Sequence, residues 1–139
     1  GVHRARGAAV SREVLQPPGW TRPRGYANGV AAEGRQVYVS GQIGWDAEQR
    51  FVGDDFAAQV RQALANVVAV LACAGARPEH LVRMTWYITS RDEYNAALAE
   101  IGASYRELIG RNYPAMSVVV VAGLLEPRAK VEIEATAVV

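Results

Sequence analysis

Apolar and polar residues alternate along this chain with two distinct periods. Val82, Met84, Trp86 and Ile88 recur at every second position across 81–89, the pattern of a strand with one buried face. Phe56, Val60, Leu64, Val67, Val68 and Leu71 instead recur every three to four positions, which predicts one face of an amphipathic helix. Asp54 or Asp55 suits its N-cap and Gly75 its stop, while Gln59, Arg61, Gln62 and Asn66 supply the polar face. A second helix carries Tyr94, Leu98, Ile101, Tyr105, Leu108 and Ile109 and ends near Gly110. Ser90 and Glu93 read as a reciprocal capping box at its start.

The remaining apolar runs predict strands. A short one spans 10–15. Val30 and the run Val37-Tyr38-Val39 flank a turn at Glu33-Gly34, and the second of these strands ends in Ser40-Gly41-Gln42-Ile43-Gly44. The valine-rich run 117–122 fits a strand covered on both faces, and 130–138 alternates charged and apolar residues. Between 16 and 26 lie Pro17, Pro18, Gly19, Pro23 and Gly25, too many prolines and glycines for regular structure. Trp20 and Tyr26 give that loop something to pack with. Residues 45–53 read as a polar loop.

The predicted order is β-β-β-α-β-α-β-β, an α+β domain with two helices on one face of a six-stranded mixed sheet. Two helices cover one sheet face only. The other face, and an exposed Val118–Val121 above all, calls for a partner subunit, so the chain is expected to be an obligate oligomer.

Composition narrows the classes. A length of 139 residues fits one domain. Lys and Arg number 15 against 14 Asp and Glu, and a net charge of +1 argues against a general phosphate-backbone binder. One cysteine excludes an intrachain disulfide framework and a cysteine-cluster metal site. No run of about 18 apolar residues occurs, so no transmembrane helix is expected and the chain reads as soluble and cytoplasmic. His3, Arg4, Arg6 and Arg12 crowd a segment with little apolar content, which reads as a solvated tail.

Few residues advertise chemistry. There is no Gly-rich phosphate loop, no HExxH and no G-x-S-x-G. His3 and His80 have no metal partner at helical spacing, and no histidine stands near Cys73 to activate it. Glu132 and Glu134 point the same way from the last strand, as a solvated face or as a carboxylate positioning water at a cleft. Trp20 and Tyr26 either line a pocket or pin their loop. Arg111, beside Tyr113-Pro114, is a surface arginine or a carboxylate ligand.

Several segments in order resemble one family: Gly25-Tyr26, Val39-Ser40-Gly41-Gln42-Ile43, Gln59 to Asn66, Ala74-Gly75-Ala76, Pro114-Ala115-Met116-Ser117 and Val131-Glu132-Ile133-Glu134-Ala135. Together they look like the Rid family, also described as endoribonuclease L-PSP-like. The resemblance covers 17–139 as a single domain, leaving 1–16 as tail and first strand. It implies a chorismate-mutase-like fold and a homotrimer with three clefts between subunits. It also implies hydrolysis of enamines and imines such as 2-aminoacrylate, with no metal or organic cofactor. On that resemblance Glu132 matches the glutamate that places the attacking water and Tyr26 the tyrosine of the cleft. Ser40 and Gly41 match strand-end positions that line it.

One position departs from the pattern. Where the family carries an arginine that clamps the substrate carboxylate, this chain has Met116, which has neither charge nor donor. Arg24 or Arg111 would have to replace it. A less polar pocket with Trp20, Trp45 and Met116 would suit an aromatic or larger small-molecule substrate, and the related aminomuconate deaminases serve aromatic catabolism. The resemblance thus leaves a deaminase for another imine, a non-catalytic small-molecule-binding trimer, or a ribonuclease or translation inhibitor. The last lacks a basic patch and a stacking platform, so nucleic acid is not the expected partner.

Overall fold

The structure is a computed structural model and describes residues 11–139. His3, Arg4, Arg6 and Val10 lie outside the described residues. Strands β1 (Ser11–Leu15), β2 (Gly29–Glu33) and β3 (Gln36–Ile43) precede helix α1 (Phe56–Cys73). A 3₁₀ turn at Pro78–His80 leads into β4 (Leu81–Ile88), followed by α2 (Arg91–Ala96) and α3 (Leu98–Leu108). Strands β5 (Ala115–Val120) and β6 (Val131–Val138) complete the order.

The α+β class holds, with mixed pairing, but the strands divide between two sheets. Four form one sheet in the order β3-β6-β4-β5, and β1 pairs with β2 in a separate two-stranded sheet. The expected single six-stranded sheet is therefore not what forms. Alternation marks a strand's two faces but carries no label for its neighbour. Arg12 is also no part of a solvated tail. It sits in β1, and its Nη2 donates to the Leu81 carbonyl at 3.0 Å, tying the hairpin to the start of β4.

Pairs β3/β6 and β4/β6 are antiparallel, and β4/β5 is parallel. A parallel pair needs a long crossover, which the second helical segment supplies. That segment is two helices, not one. The chain unwinds at Ala97, whose N–H bonds back to the Tyr94 carbonyl and whose side chain is buried. Ser90 caps α2 by accepting from the Glu93 N–H at 3.1 Å. The other half of the expected capping box does not form, because the Glu93 carboxylate takes the Lys130 ammonium at 2.8 Å instead. Asp55, not Asp54, caps α1, accepting from the Ala58 N–H. Gly75, at φ +70°, ends it as expected.

The core lies between α1 and one face of the sheet. Val60, Ala63, Leu64, Val67 and Leu71 are fully buried there, against Met84, Trp86, Ile133 and their neighbours. By length and composition α1 could cross a membrane, but this buried stripe makes it the core helix of the domain. Gln59, also fully buried, donates to the Gly53 and Arg128 carbonyls and accepts from the Lys130 N–H. All its polar groups are used, as burial demands, and they pin the turn before β6 to the helix.

The opposite sheet face carries Arg83, Thr85 and Tyr87 from β4 beside Glu132, Glu134 and Thr136 from β6. Among the described residues no helix packs on it. The valine-rich run is not covered on both faces by the described residues. It forms β5, an edge strand whose Val119 is 39% exposed and Val120 50%.

Candidate functional site

Glu132 stands mid-sheet on β6, half-buried, opposite Ile43 of β3 and Tyr87 of β4. The β3/β6 register shifts between Val39 and Gln42, so Ser40 and Gly41 form an irregularity next to it. The Glu132 side chain fills the space over Gly41: a Cβ there would lie 2.6 Å from the Glu132 carboxyl carbon. Position 41 must be glycine for Glu132 to lie where it does. Glu134 is spoken for, because the Tyr87 hydroxyl donates to it at 2.6 Å. Glu132 has no hydrogen-bond or ion-pair partner among the described residues. The two carboxylates that the sequence leaves equivalent are thus distinguished by their partners. The bond to Glu134 is the main reason the Tyr87 hydroxyl is held above the ordinary tyrosine pKa, with burial second. Tyr87 therefore stays a proton donor at neutral pH.

Met116 and Tyr26 meet elsewhere, on the helix side of β5. The Ala27 N–H donates to the Pro114 carbonyl at 2.9 Å, and Ala27 bridges to Ala115, which lays the Tyr26 loop alongside the strand. Between that loop, β5 and helices α2 and α3 opens a cavity of about 550 Å³. Trp86, Tyr94, Tyr105 and Tyr113 wall it, together with Met116 and Tyr26. Tyr105 and Tyr113 stack with centroids 5.6 Å apart, and the Tyr105 hydroxyl donates to the Asn112 carbonyl at 2.7 Å. Burial pushes the Tyr105 and Tyr94 hydroxyls up, so both stay neutral. The Trp86 indole N–H is buried and meets no acceptor among the described residues. A buried donor left unmade costs about 1–3 kcal/mol. Arg24 and Arg106 are exposed at the rim of this cavity, and neither has an ion-pair partner among the described residues.

The other sequence candidates scatter. Ser40 lines a cavity of about 420 Å³ on the open sheet face with Arg83 and Glu134. Arg111 lines a third, of about 450 Å³, with Arg12, Tyr26 and Asn112, and not the one that Met116 lines. Trp20 is 63% exposed and lines none of the three cavities. Trp45 packs against Phe51 at 5.7 Å and is also absent from the Met116 cavity. The expected apolar pocket of Trp20, Trp45 and Met116 does not assemble. Trp86, Tyr94, Tyr105 and Tyr113 take its place, and three of these look in sequence like ordinary members of a strand or helix core face. Arg106 likewise carries no signal, standing in the polar stripe of α3. Among the described residues no cluster of three His, Cys, Asp or Glu could hold a metal ion.

The family model described as endoribonuclease L-PSP matches residues 21–139. A 2-iminobutanoate/2-iminopropanoate deaminase of Salmonella typhimurium is 36% identical over 113 residues, covering 81% of this chain and 86% of the enzyme. The human protein of the same name is 30% identical over 135 residues, covering 94% and 93%. A crystal structure of a conserved Rid-family protein of unknown function from Yersinia pestis superposes with TM-score 0.79 at 36% identity. It covers 92% of this chain and 98% of that one.

Proposed function

This chain belongs to the Rid family, the endoribonuclease L-PSP family of the matching model, and on that premise we propose that it hydrolyses a small imine or enamine to an oxo compound and ammonia. The observation that carries the proposal is Glu132, a half-buried carboxylate without a partner among the described residues, lying over Gly41 in a chain similar to imine deaminases. Glu132 takes a proton from water as the water oxygen adds to the C=N carbon. Glu132 hands that proton to the nitrogen. The carbinolamine then breaks its C–N bond as its hydroxyl becomes the C=O and gives its proton, by way of Glu132, to the nitrogen leaving as ammonia. An enamine enters as its imine tautomer, protonated at the β-carbon. No redox partner is needed.

The working unit is proposed to be a homotrimer with its clefts between subunits. Two features support this. The open sheet face and the exposed Val119 and Val120 lack cover among the described residues. The candidate residues also fall into two groups, Glu132, Ser40 and Gly41 on one side of the sheet region and Tyr26 and Met116 on the other. A cytoplasmic location suits the exposed free thiol of Cys73. Met116 speaks for a substrate other than 2-aminoacrylate, because a thioether makes no charge-assisted contact to a carboxylate.

The test is a panel of imines generated in place by amino-acid oxidases, followed by loss of imine absorbance. Faster loss with at least one imine, reduced about a hundredfold or more in Glu132→Gln, supports the reading. No acceleration with any imine, or a Glu132→Gln variant as active as the parent, sinks it. Met116 itself favours a second reading, a binder without turnover. Ligand-induced shifts of the melting temperature with no imine hydrolysis would select that one.

A further inference from the structure

The aromatic cavity beside β5 points to the substrate class, an inference that rests on the imine-hydrolase reading. We propose that this cavity takes the ring of an aromatic 2-imino acid, with Arg106, assisted by Arg24, holding its carboxylate at the rim. A space of about 550 Å³ lies in the range of small-molecule sites, and a three-carbon imino acid would fill a small part of it. Trp86 and Tyr105 form its buried floor, and the half-buried Tyr94 and Tyr113 leave ring surface that suits another ring in offset or edge-on packing. Tyr105 and Tyr113 are held by stacking and by the bond to Asn112, so this wall is fixed before a ligand arrives. The indole N–H of Trp86 is a buried donor with no acceptor among the described residues.

Arg106 is placed to supply the charge that Met116 lacks. It sits on α3, one turn after Gly102, and both line the cavity. A Cβ at position 102 would lie 3.2 Å from the Arg106 Nη1, so the guanidinium lies back along the helix over the bare glycine. That keeps its planar fork at the rim, free of any carboxylate partner among the described residues. A guanidinium fork donates two parallel hydrogen bonds to a carboxylate, and a helix position holds it in register. Arg24 reaches the same rim from the Tyr26 loop. Arg111 lines a different cavity and has no part in this clamp.

Phenylpyruvate and pyruvate, the stable oxo counterparts of an aromatic and a small imino acid, test this by isothermal titration on the full chain. Phenylpyruvate is expected to bind at least tenfold tighter than pyruvate. The Arg106→Gln, Arg24→Gln double variant should weaken phenylpyruvate at least tenfold with an unchanged melting temperature, and Arg106→Lys should weaken it less. Gly102→Leu, which fills the rim and displaces the guanidinium, should abolish it. Equal affinity for the two acids overturns the proposal, as does phenylpyruvate binding that the double variant leaves intact. Failure here with aliphatic imines still hydrolysed removes the aromatic class and leaves the deaminase. Tight phenylpyruvate binding with no imine hydrolysed removes the deaminase and leaves the site.

Discussion

At the scale of single residues, two small differences bear on the proposed chemistry, and both can be changed. Glu132 lies where the absent side chain of Gly41 would be. The obstacle in Gly41→Ala is the end of a flexible side chain, so Glu132 swings aside and the fold survives. Hydrolysis is expected to fall at least about tenfold, the price of a misplaced base, while the thermal melt stays within a few degrees. An unchanged rate would mean that Glu132 does not act from this position. The converse change is Met116→Arg. A desolvated clamp on a carboxylate is worth about 2–5 kcal/mol, so this variant is expected to raise kcat/KM for 2-iminopropanoate at least about tenfold. Steady-state rates for both proteins check it. Glu132 and Met116 were legible in the sequence because each stands inside a short ordered motif. Arg106 and Trp86 were not. Their pattern is that of a polar helix face and a strand core, and only the backbone fold brings them to one cavity.

At the scale of elements, α2 and α3 show what periodicity leaves out. The apolar spacing runs through Tyr94, Leu98, Ile101 and Tyr105 without interruption, and so predicts one helix. The break at Ala97 redirects the backbone and leaves Leu98 exposed while Ile101 and Tyr105 stay buried, and hydrophobic spacing does not register it. Charge pairing is equally silent, since Glu93 could serve its own helix or Lys130 far along the chain, and the sheet decides for Lys130. The end of α3 carries a pH signature. Burial holds the Tyr105 hydroxyl above the ordinary tyrosine pKa. A raised folded value means that its contribution is complete below the unfolded tyrosine pKa of about 10. It is lost as pH climbs from there toward the folded value, because the unfolded chain gives up the proton first. Stability is therefore expected to decline above about pH 10, with part of the slope removed in Tyr105→Phe. At neutral pH that variant also loses the bond to the Asn112 carbonyl, about 1 kcal/mol. Denaturant melts of both proteins across the alkaline range measure the two effects.

At the scale of the whole molecule, the decisive question is whether one chain holds a site. The sheet's open face and the aromatic cavity lie on different sides of the same four strands, so Glu132 and Arg106 face apart within a chain. If the site forms between copies, each active cleft takes Glu132 from one subunit and the cavity from its neighbour. Glu132→Gln, which removes the base, and Gly102→Leu, which fills the cavity rim, each spoil every cleft when present alone. When equal amounts of the two inactive variants are unfolded and refolded together, a cleft is intact if one side comes from each kind in the right order. Random assembly makes that half times half, so about one quarter of the parent activity returns in the mixture. A site within one chain predicts no recovery, because every chain carries a lesion. Light scattering on the same samples reports the assembly state. Val119→Asp, placed on the uncovered face beside Tyr87, is expected to shift it toward monomer and to abolish recovery. Activity retained by a monomer of that variant would locate the whole site within one chain.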